Sequence, residues 1–529
     1  MKKNKFWTIA GLLLLIPFTG SCTTGKTPCQ YDAPKSALPI KNLVGDLADP
    51  IATDECKPFD LNFRRLHDST FLAVIKMRQS KGPKCKGLSG APVKLTSSRG
   101  IVSEVEDLGN GNYVALITPD GDKTGEYVVR ATSSWGDANF STRRTALVFD
   151  SVNQRWGQPQ AVEGLVNTLG WEDSAFITPN GEYLLIMYLP VSPSCLMEEK
   201  KHKDPRCHRV QGKVTKQNRP QFASRFASGR LRKNGEIDMQ CLEVGPTFNR
   251  ELFKTYDVYV PPMMTYGFRR QPDGSFADPF PITIEGVSAC ASPSGLEVQP
   301  TGNGKMMALF GLVDPASWNT PQKDDYPSMY TANIELGKIN VLATWKPDQK
   351  QLDTKASDLK ILFGAPLKKR QDNPHGVINP KTKRIEALFW DSQHDDEDIF
   401  YRLLAPGGDF PDGPWGPIMK TPVFSDPNQT EIQPFFDGNV LTIHKRYAIV
   451  SRDFLGNSFS DIAKPKAWGP ERTELAVCAG HDGTEANVLH AVGEPTYADI
   501  NGKKALYFVY LLRRDNGMLD MNVGFVEEK

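Results

Sequence analysis

Neither sign of charge dominates this chain, and no apolar run in it is long. Its 529 residues carry 63 Lys and Arg against 62 Asp and Glu, a formal net charge of +1. A protein that holds nucleic acid by displacing phosphate counterions needs an excess of positive charge, and none is available here. The most apolar segment runs only from Phe6 to Phe18, whereas a spanning helix needs about 20 residues. Hydrophobic residues at 39% with 24% charged exclude a polytopic membrane protein and a disordered chain alike. Walker, H-E-x-x-H and G-x-S-x-G motifs are missing, and with them the signatures of phosphate-cradling loops, zinc peptidases and nucleophile elbows. No C-x-x-C pair of the kind zinc sites favour occurs, and no C-x-x-C-H haem motif.

What the chain does have is turn chemistry. The 44 Gly and 40 Pro suit many short strands and tight connections, so an all-β class is expected. The length fits two to four ordinary domains, or one small domain beside a large β architecture.

Lys2, Lys3 and Lys5 precede the Phe6 to Phe18 run, which ends in Thr19-Gly20-Ser21-Cys22. A charged start, a short apolar stretch and small residues at the end read as a secretory signal over residues 1–21. The segment ending at Cys22 resembles a bacterial lipobox, in which the cysteine takes a diacylglyceryl anchor. Gly20, Ser21 and Cys22 fit that pattern, and Thr19 stands where a Leu is usual. Thr19 and Ser21 would equally serve ordinary signal peptidase. Removing the three lysines takes the formal charge from +1 to −2, so no strong charge steers the mature protein. The resemblance implies an exported protein of the cell envelope, facing the periplasm or the surface of the outer membrane.

Giving Cys22 to a lipid leaves Cys29, Cys56, Cys85, Cys195, Cys207, Cys241, Cys290 and Cys478. An even number in an oxidising compartment makes all eight disulfide candidates, with the pairing open. Cys195, Cys207 and His208, with His202, lack metal-ligand spacing and read as a pinned loop. The acidic run His394-Asp395-Asp396-Glu397-Asp398 lacks the spaced oxygens of an EF-hand loop and reads as a solvated turn. No metal site and no cofactor are therefore expected, though a channel-mouth cation such as Ca²⁺ stays open.

Residues 22–63 are rich in Pro, Lys and Asp without periodicity and read as a tether. Over 64–143, stretches such as Phe71 to Lys76, Tyr113 to Leu116 and Gly125 to Ala131 alternate apolar and polar residues between Asn-Gly and Asp-Gly turns, the period-2 signature of half-buried strands. Their G-x-G-x-Y … G-x-Y-x-V ending resembles bacterial immunoglobulin-like domains, and implies a small β-sandwich that spaces or presents the rest of the chain.

Residues 144–529 carry a repeat. Glu297-Val298-Gln299-Pro300 and Glu431-Ile432-Gln433-Pro434 match, and each leads through a Gly-containing turn into an apolar strand. Longer versions start at Asp173 and Glu494, and a looser one at Asp372. Each unit reads as an acid, a short strand, a turn and an apolar strand, which is a hairpin. Tryptophan-glycine closures such as Trp415-Gly416-Pro417 and Trp468-Gly469-Pro470 come next, and two outer strands would complete a four-stranded unit. The series resembles the WD40-like repeats of TolB-type periplasmic β-propellers. That resemblance implies five blades, or six if the insertion at about 192–251 hides another. Ala146 to Phe149 and Trp156 to Pro159 look like the outer part of a blade, and the last hairpin lacks just such a part, so the two would complete each other and close the ring.

In such a ring Glu172, Asp173, Glu297, Asp372, Glu431 and Glu494 would surround one mouth of the channel. Repeat geometry explains a recurring acid if it accepts hydrogen bonds from a neighbouring strand's amides. Two carboxylates there could instead work as the general acid and the base or nucleophile of a glycosidase. Trp171 would then stack on sugar, and Arg370 with His375 would bind an anion or relay a proton. Sialidase-type S-x-D-x-G-x-T-W boxes are missing. Two functions are open: a scaffold that binds an envelope protein or glycan, with catalysis undecided, or a carbohydrate-active enzyme.

Overall fold

The computed structural model describes residues 57–66, 70–79, 86–120, 124–167, 171–189, 264–284, 294–300, 306–312, 328–334, 354–362, 372–392, 398–426, 429–477, 486–515 and 519–529. Cys22 and the eight other cysteines, Arg370, the insertion at 192–251 and the acidic run from His394 to Glu397 lie outside these residues. Secondary structure in the described residues is all β apart from two 3₁₀ turns, Phe459–Ala463 and Pro465–Ala467. No helix among them is long and apolar enough to cross a membrane.

The first eight strands are β1 (Phe59–Arg65), β2 (Phe71–Met77), β3 (Lys94–Ser97), β4 (Ile101–Val102), β5 (Glu106–Gly109), β6 (Asn112–Thr118), β7 (Gly125–Trp135) and β8 (Ala138–Val148). One sheet runs β1-β2-β6-β4 with β5 on β6, and β3, β7 and β8 form the facing layer. Alternate side chains of both layers meet in a single core: Leu61, Phe71, Ile75, Tyr113, Ile117, Tyr127 and Val129 are buried together. The stretch read as a tether is shorter than expected, because β1 already pairs with β2 from Phe59 opposite Met77. Glu126 of β7 ties this unit to the rest of the chain, accepting from Arg514 Nη1 at 2.6 Å and from the Tyr510 hydroxyl at 2.7 Å.

After β9 (Ser151–Val152) and β10 (Gln160–Ala161), the chain builds successive antiparallel units. The first holds β11 (Trp171–Ile177), β12 (Tyr183–Leu189), β13 (Met264–Arg270) and β14 (Phe276–Ile284). The second holds β15 (Ser294–Pro300), β16 (Met306–Leu312), β17 (Ser328–Ile334) and β18 (Thr354–Ile361). The third holds β19 (Asp372–Ile378), β20 (Ile385–Ser392), β21 (Asp398–Asp409), β22 (Gly413–Trp415) and β23 (Met419–Lys420). The fourth holds β24 (Glu431–Phe436), β25 (Val440–Lys445), β26 (Ala448–Asp453) and β27 (Arg472–Ala476). The last holds β28 (Leu489–Ile500), β29 (Lys503–Arg513) and β30 (Leu519–Glu527).

The last unit has three strands of its own. Its fourth neighbour is β10, which pairs Gln160 with Phe525 and Ala161 with Gly524, and β8 follows at Ala146. The chain's early and late segments thus complete one sheet, which removes an exposed edge. The expected segment from Trp156 to Pro159 does lie along the last strand, through Trp156 opposite Glu528 and Gly157 N on the Glu527 carbonyl, and continues into β10, while 146–149 stands one strand further out. The first strands β11, β15, β19, β24 and β28 each pack on the next, and β28 packs back on β11. Between the units lie aromatic and aliphatic layers, among them Phe176, Phe310, Tyr497, Phe508 and Tyr510 and Phe389, Phe436, Ile443 and Trp468.

Candidate functional site

Each of the five first strands breaks its ladder at a corresponding place, and β19 and β28 break it a second time. The register slips between Asp173 and Phe176, Ser294 and Glu297, Asp372 and His375, Ile432 and Phe435, and Gly493 and Thr496. At each slip one residue has positive φ: Ser174 (51°), Gly295 (55°), Asn373 (46°), Gln433 (57°) and Glu494 (54°). This is a β-bulge repeated five times, and it turns successive residues toward the ring axis. Residues 174–176, 295–297, 373–375, 433–435 and 494–496 together line one cavity.

At the bulges the lining is Ser174, Gly295, Asn373, Gln433 and Glu494, the first three partly exposed and the last two buried. The next residues along each strand, Ala175, Leu296, Pro374, Pro434 and Pro495, and then Phe176, Glu297, His375, Phe435 and Thr496, complete it. Proline is tolerated inside these strands because a bulge leaves its position outside the ladder. Only Gly295 meets positive φ without a side-chain penalty. A Cβ there would lie 2.8 Å from Asn373 Oδ1 and 2.9 Å from Asn373 Cα. Gly295→Ala is therefore expected to destabilise the protein by about 2–4 kcal/mol, left-handed strain plus overpacking. Urea unfolding checks it, and a loss under about 1 kcal/mol would refute the close approach of β15 to β19.

The acids expected to be equivalent are not. Relative to the bulge residue, Glu494 is at the bulge, Asp173 and Asp372 are one before, Glu172 and Glu431 two before, and Glu297 two after. The matching Glu-x-Gln-Pro stretches are four residues out of step, because Gly295 and Gln433 are the corresponding positions. Nor do the acids precede their strands; they lie within them.

Only two of the six line the cavity. Glu494 is gripped by Gln433, whose Nε2 donates to Oε1 at 2.9 Å while Glu494 N donates back to Gln433 Oε1 at 3.0 Å. Ala175 N donates to Glu494 Oε2 at 3.2 Å. Burial and the adjacent Asp173 carboxyl, which hydrogen bonds to it, hold Glu494 well above the usual carboxylate range. Glu297 accepts from Gly376 N at 3.0 Å and Gln299 Nε2 at 2.7 Å, and its Oε2 lies 2.5 Å from His375 Nδ1. His375 Nε2 donates to the Phe436 carbonyl at 2.9 Å. Burial opposes the charged imidazole, but Glu297 and that carbonyl outweigh it and raise His375 above its ordinary value.

The remaining candidates sit elsewhere. Glu431 accepts from Asp426 N at 3.1 Å and lies 3.3 Å from Lys445 Nζ; burial raises its pKa against both. Glu172 is fully buried. Asp372 supplies backbone opposite Asp391. Trp171 is buried at the start of β11, opposite Leu189 and beside Met521, so it offers no open face to a sugar. Asp391 was not anticipated. Its Oδ2 accepts from Gln433 N at 2.7 Å and Asn373 Nδ2 at 2.8 Å, joining two bulges. Pro374, Pro434 and Pro495, each next to a bulge residue inside a strand, were the available signal.

A second buried histidine behaves oppositely. His444 donates from Nε2 to the Arg446 carbonyl at 2.6 Å, its Nδ1 has no partner among the described residues, and burial pushes its pKa down to about 4. With an unfolded value near 6.5, it contributes stability above that pH and loses it as pH falls toward 4. The contribution is about 3 kcal/mol. His444→Gln should flatten the stability profile between those limits; a profile parallel to that of the parent protein would refute it.

Around the cavity the carboxylates accept backbone amides of adjacent strands, and its volume is ≈ 60 Å³, room for a few waters. No group of three or more metal-ligating side chains occurs among the described residues. No protein family matches the chain, and no curated protein matches it. Among solved structures, it is similar to a subtype N11 neuraminidase-like protein of A/flat-faced bat/Peru, at 6% identity and a TM-score of 0.19, covering 44% of this chain and 86% of that one.

Proposed function

We propose that the chain is an exported, lipid-anchored five-bladed β-propeller behind an immunoglobulin-like β-sandwich, and that it serves as a binding scaffold for a protein or glycan of the bacterial envelope. Five bulged first strands in cyclic contact, with β10 completing the last unit, support the five blades. Two β-layers over one core support the sandwich. The observation that carries the function is the state of the ring acids. Glu297 and Glu494 spend their oxygens on Gly376 N, Ala175 N, Gln433 and His375, which fits holding strands together better than working on a substrate. A hydrolase also needs space for a sugar between acids about 5–10 Å apart, and ≈ 60 Å³ does not supply it.

Affinity capture from membranes with the full-length protein tests the scaffold, and a glycan panel tests hydrolysis. A stoichiometric envelope partner with no hydrolysis is the expected result. Hydrolysis abolished by Glu494→Gln would overturn it in favour of a carbohydrate-active enzyme. Cys22→Ala should move the protein from the membrane to the soluble fraction; unchanged membrane retention would refute the anchor.

A further inference from the structure

The layer made by β3, β7 and β8 ends in an edge that no described strand covers. β8, Ala138–Val148, pairs with β7 in continuous register, with no bulge and no proline. Leu147 N donates to the Pro159 carbonyl at 2.8 Å, and Thr145 N to Glu163 at 3.3 Å. Both amides face away from β7. By the alternation of an antiparallel ladder, Asn139, Ser141 and Arg143 turn N–H and C=O the same way. Among the described residues no strand pairs with them there. Natural sheets blunt such edges with bulges, prolines or short strands, and β8 has none of these. The exposed face beside the edge is cationic. Its rows are Thr96–Arg130–Arg143 and Lys94–Thr132–Ser141, while the alternate residues Leu95, Val129 and Ala131 are buried. Acids stand instead at the ends of β8, Asp137 in the turn before it and Glu163 at Thr145. A charge on the edge strand alone would keep copies apart. Arg130, however, is on the middle strand and directly opposite Arg143, and like charges so placed cost stability. An anion seated beside Arg143 would offset that cost.

We propose that the edge of β8 from Asn139 to Arg143 takes up an extended acidic segment of a partner protein as an added strand. The inference deepens the binding-scaffold reading and rests on it for its biological meaning. An incoming strand satisfies the outward N–H and C=O groups of Asn139, Ser141 and Arg143. Its alternate side chains fall on the exposed face, where a carboxylate opposite Arg143 extends the row Thr96–Arg130–Arg143. The charge-assisted bond to that guanidinium selects an acidic segment over a neutral one. A second copy of this chain fits less well, because β8 holds no acid from Ala138 to Val148 to meet the other copy's Arg143. An anionic glycan meets the cations but offers the edge no ladder of alternating donors and acceptors.

Fluorescence anisotropy of the full mature protein with the labelled peptide acetyl-Thr-Glu-Val-Glu-Val-Glu-Thr-amide tests the edge. Saturable binding is expected, weakening as salt rises. Replacing the glutamates by lysine should weaken it at least about tenfold, and so should Arg143→Glu. Ser141→Pro is the sharper variant. Proline removes an N–H that the β7–β8 ladder does not use, so the sheet survives while an added strand loses its donor. Binding should again fall at least about tenfold, with circular dichroism establishing that each variant is folded. N-methylation of the peptide's glutamates keeps their charge but blocks the amides that would face β8, and it should abolish binding to the parent protein. Failure of the parent peptide to saturate, or unchanged affinity of the N-methylated peptide or of folded Ser141→Pro, would overturn strand addition. So would a polyuronate that binds where the peptide does not. A dimer of the parent protein, seen by sedimentation and lost in Ser141→Pro, would give the edge to a second copy and overturn the proposal too. If the peptide binds as expected while membrane capture yields no partner, the edge stands and the scaffold reading falls. A captured partner that Ser141→Pro retains leaves the scaffold standing and removes the edge from it.

Discussion

Glu474→Ala is expected to destabilise the protein by about 2–4 kcal/mol, the cost of breaking a buried hydrogen-bond and ion-pair network by removing its central acceptor. Glu474 of β27 is fully buried. Its Oε2 accepts from Trp156 Nε1 at 2.7 Å and Arg155 Nε at 3.1 Å, and its Oε1 accepts from Arg472 Nε at 2.9 Å and from the Ser451 hydroxyl. Arg155 and Trp156 lie between β9, which pairs with β27, and β10, which completes the last unit. Removing the carboxylate takes the ion pair from the partly buried Arg155, leaves Arg472 paired with Asp453, and releases the segment that carries the closing strand. Trp156, stacked on Tyr497 at 6.2 Å, would lose its indole acceptor as well. Guanidinium unfolding of the variant should show a lower midpoint, and a change in m-value would report that closure comes apart separately. A loss below about 1 kcal/mol would show that Glu474 does not fasten the ring.

Phe436→Ala should cost a similar amount, about 3–5 kcal/mol, for a different reason. Phe436 is 1% exposed and its ring meets Phe389 at 5.4 Å, Trp468 at 5.5 Å, Phe454 at 5.6 Å and Phe459 at 5.8 Å. These rings come from the third and fourth units, so the residue welds one unit to the next. Truncation loses the transfer free energy of the ring and leaves a cavity that rigid strands cannot collapse into. Its carbonyl accepts from His375, so the loosened strand would also disturb the Glu297–His375 pair. Phe436→Leu should recover much of the loss. If the two variants are equally stable, the aromatic cluster is not what joins the units.

The strands were legible because their pattern is local. Alternation in Tyr113 to Leu116 and apolar runs such as Leu506 to Tyr510 announce strands whatever lies around them. The deficit of the last hairpin announced that an early segment must complete it, because an open sheet edge is a liability anywhere. The site was less legible, and the reason is register. Glu297 and Glu431 share a motif yet sit four residues apart relative to the bulge, since the bulge fixes which side chains face the axis. Letters that match are therefore not positions that match. Gln433 and Thr496 carry no charge, so nothing in their side chains marked them as site residues. Asp391 belongs to a second strand and reaches the first strands through Asn373 and Gln433.

By itself the sequence determined the class of this protein: all β, built from repeated hairpins, with its early and late segments sharing a sheet. These features arise from side-chain periodicity and turn residues, which act over a few positions along the chain. Only the tertiary structure decided which acids meet. Asp173 and Glu494 are more than three hundred residues apart in sequence, and their carboxyl groups meet because β28 packs onto β11. Glu297 and His375, 78 residues apart, likewise meet only in the folded chain. Burial makes such pairs count, since water no longer screens them.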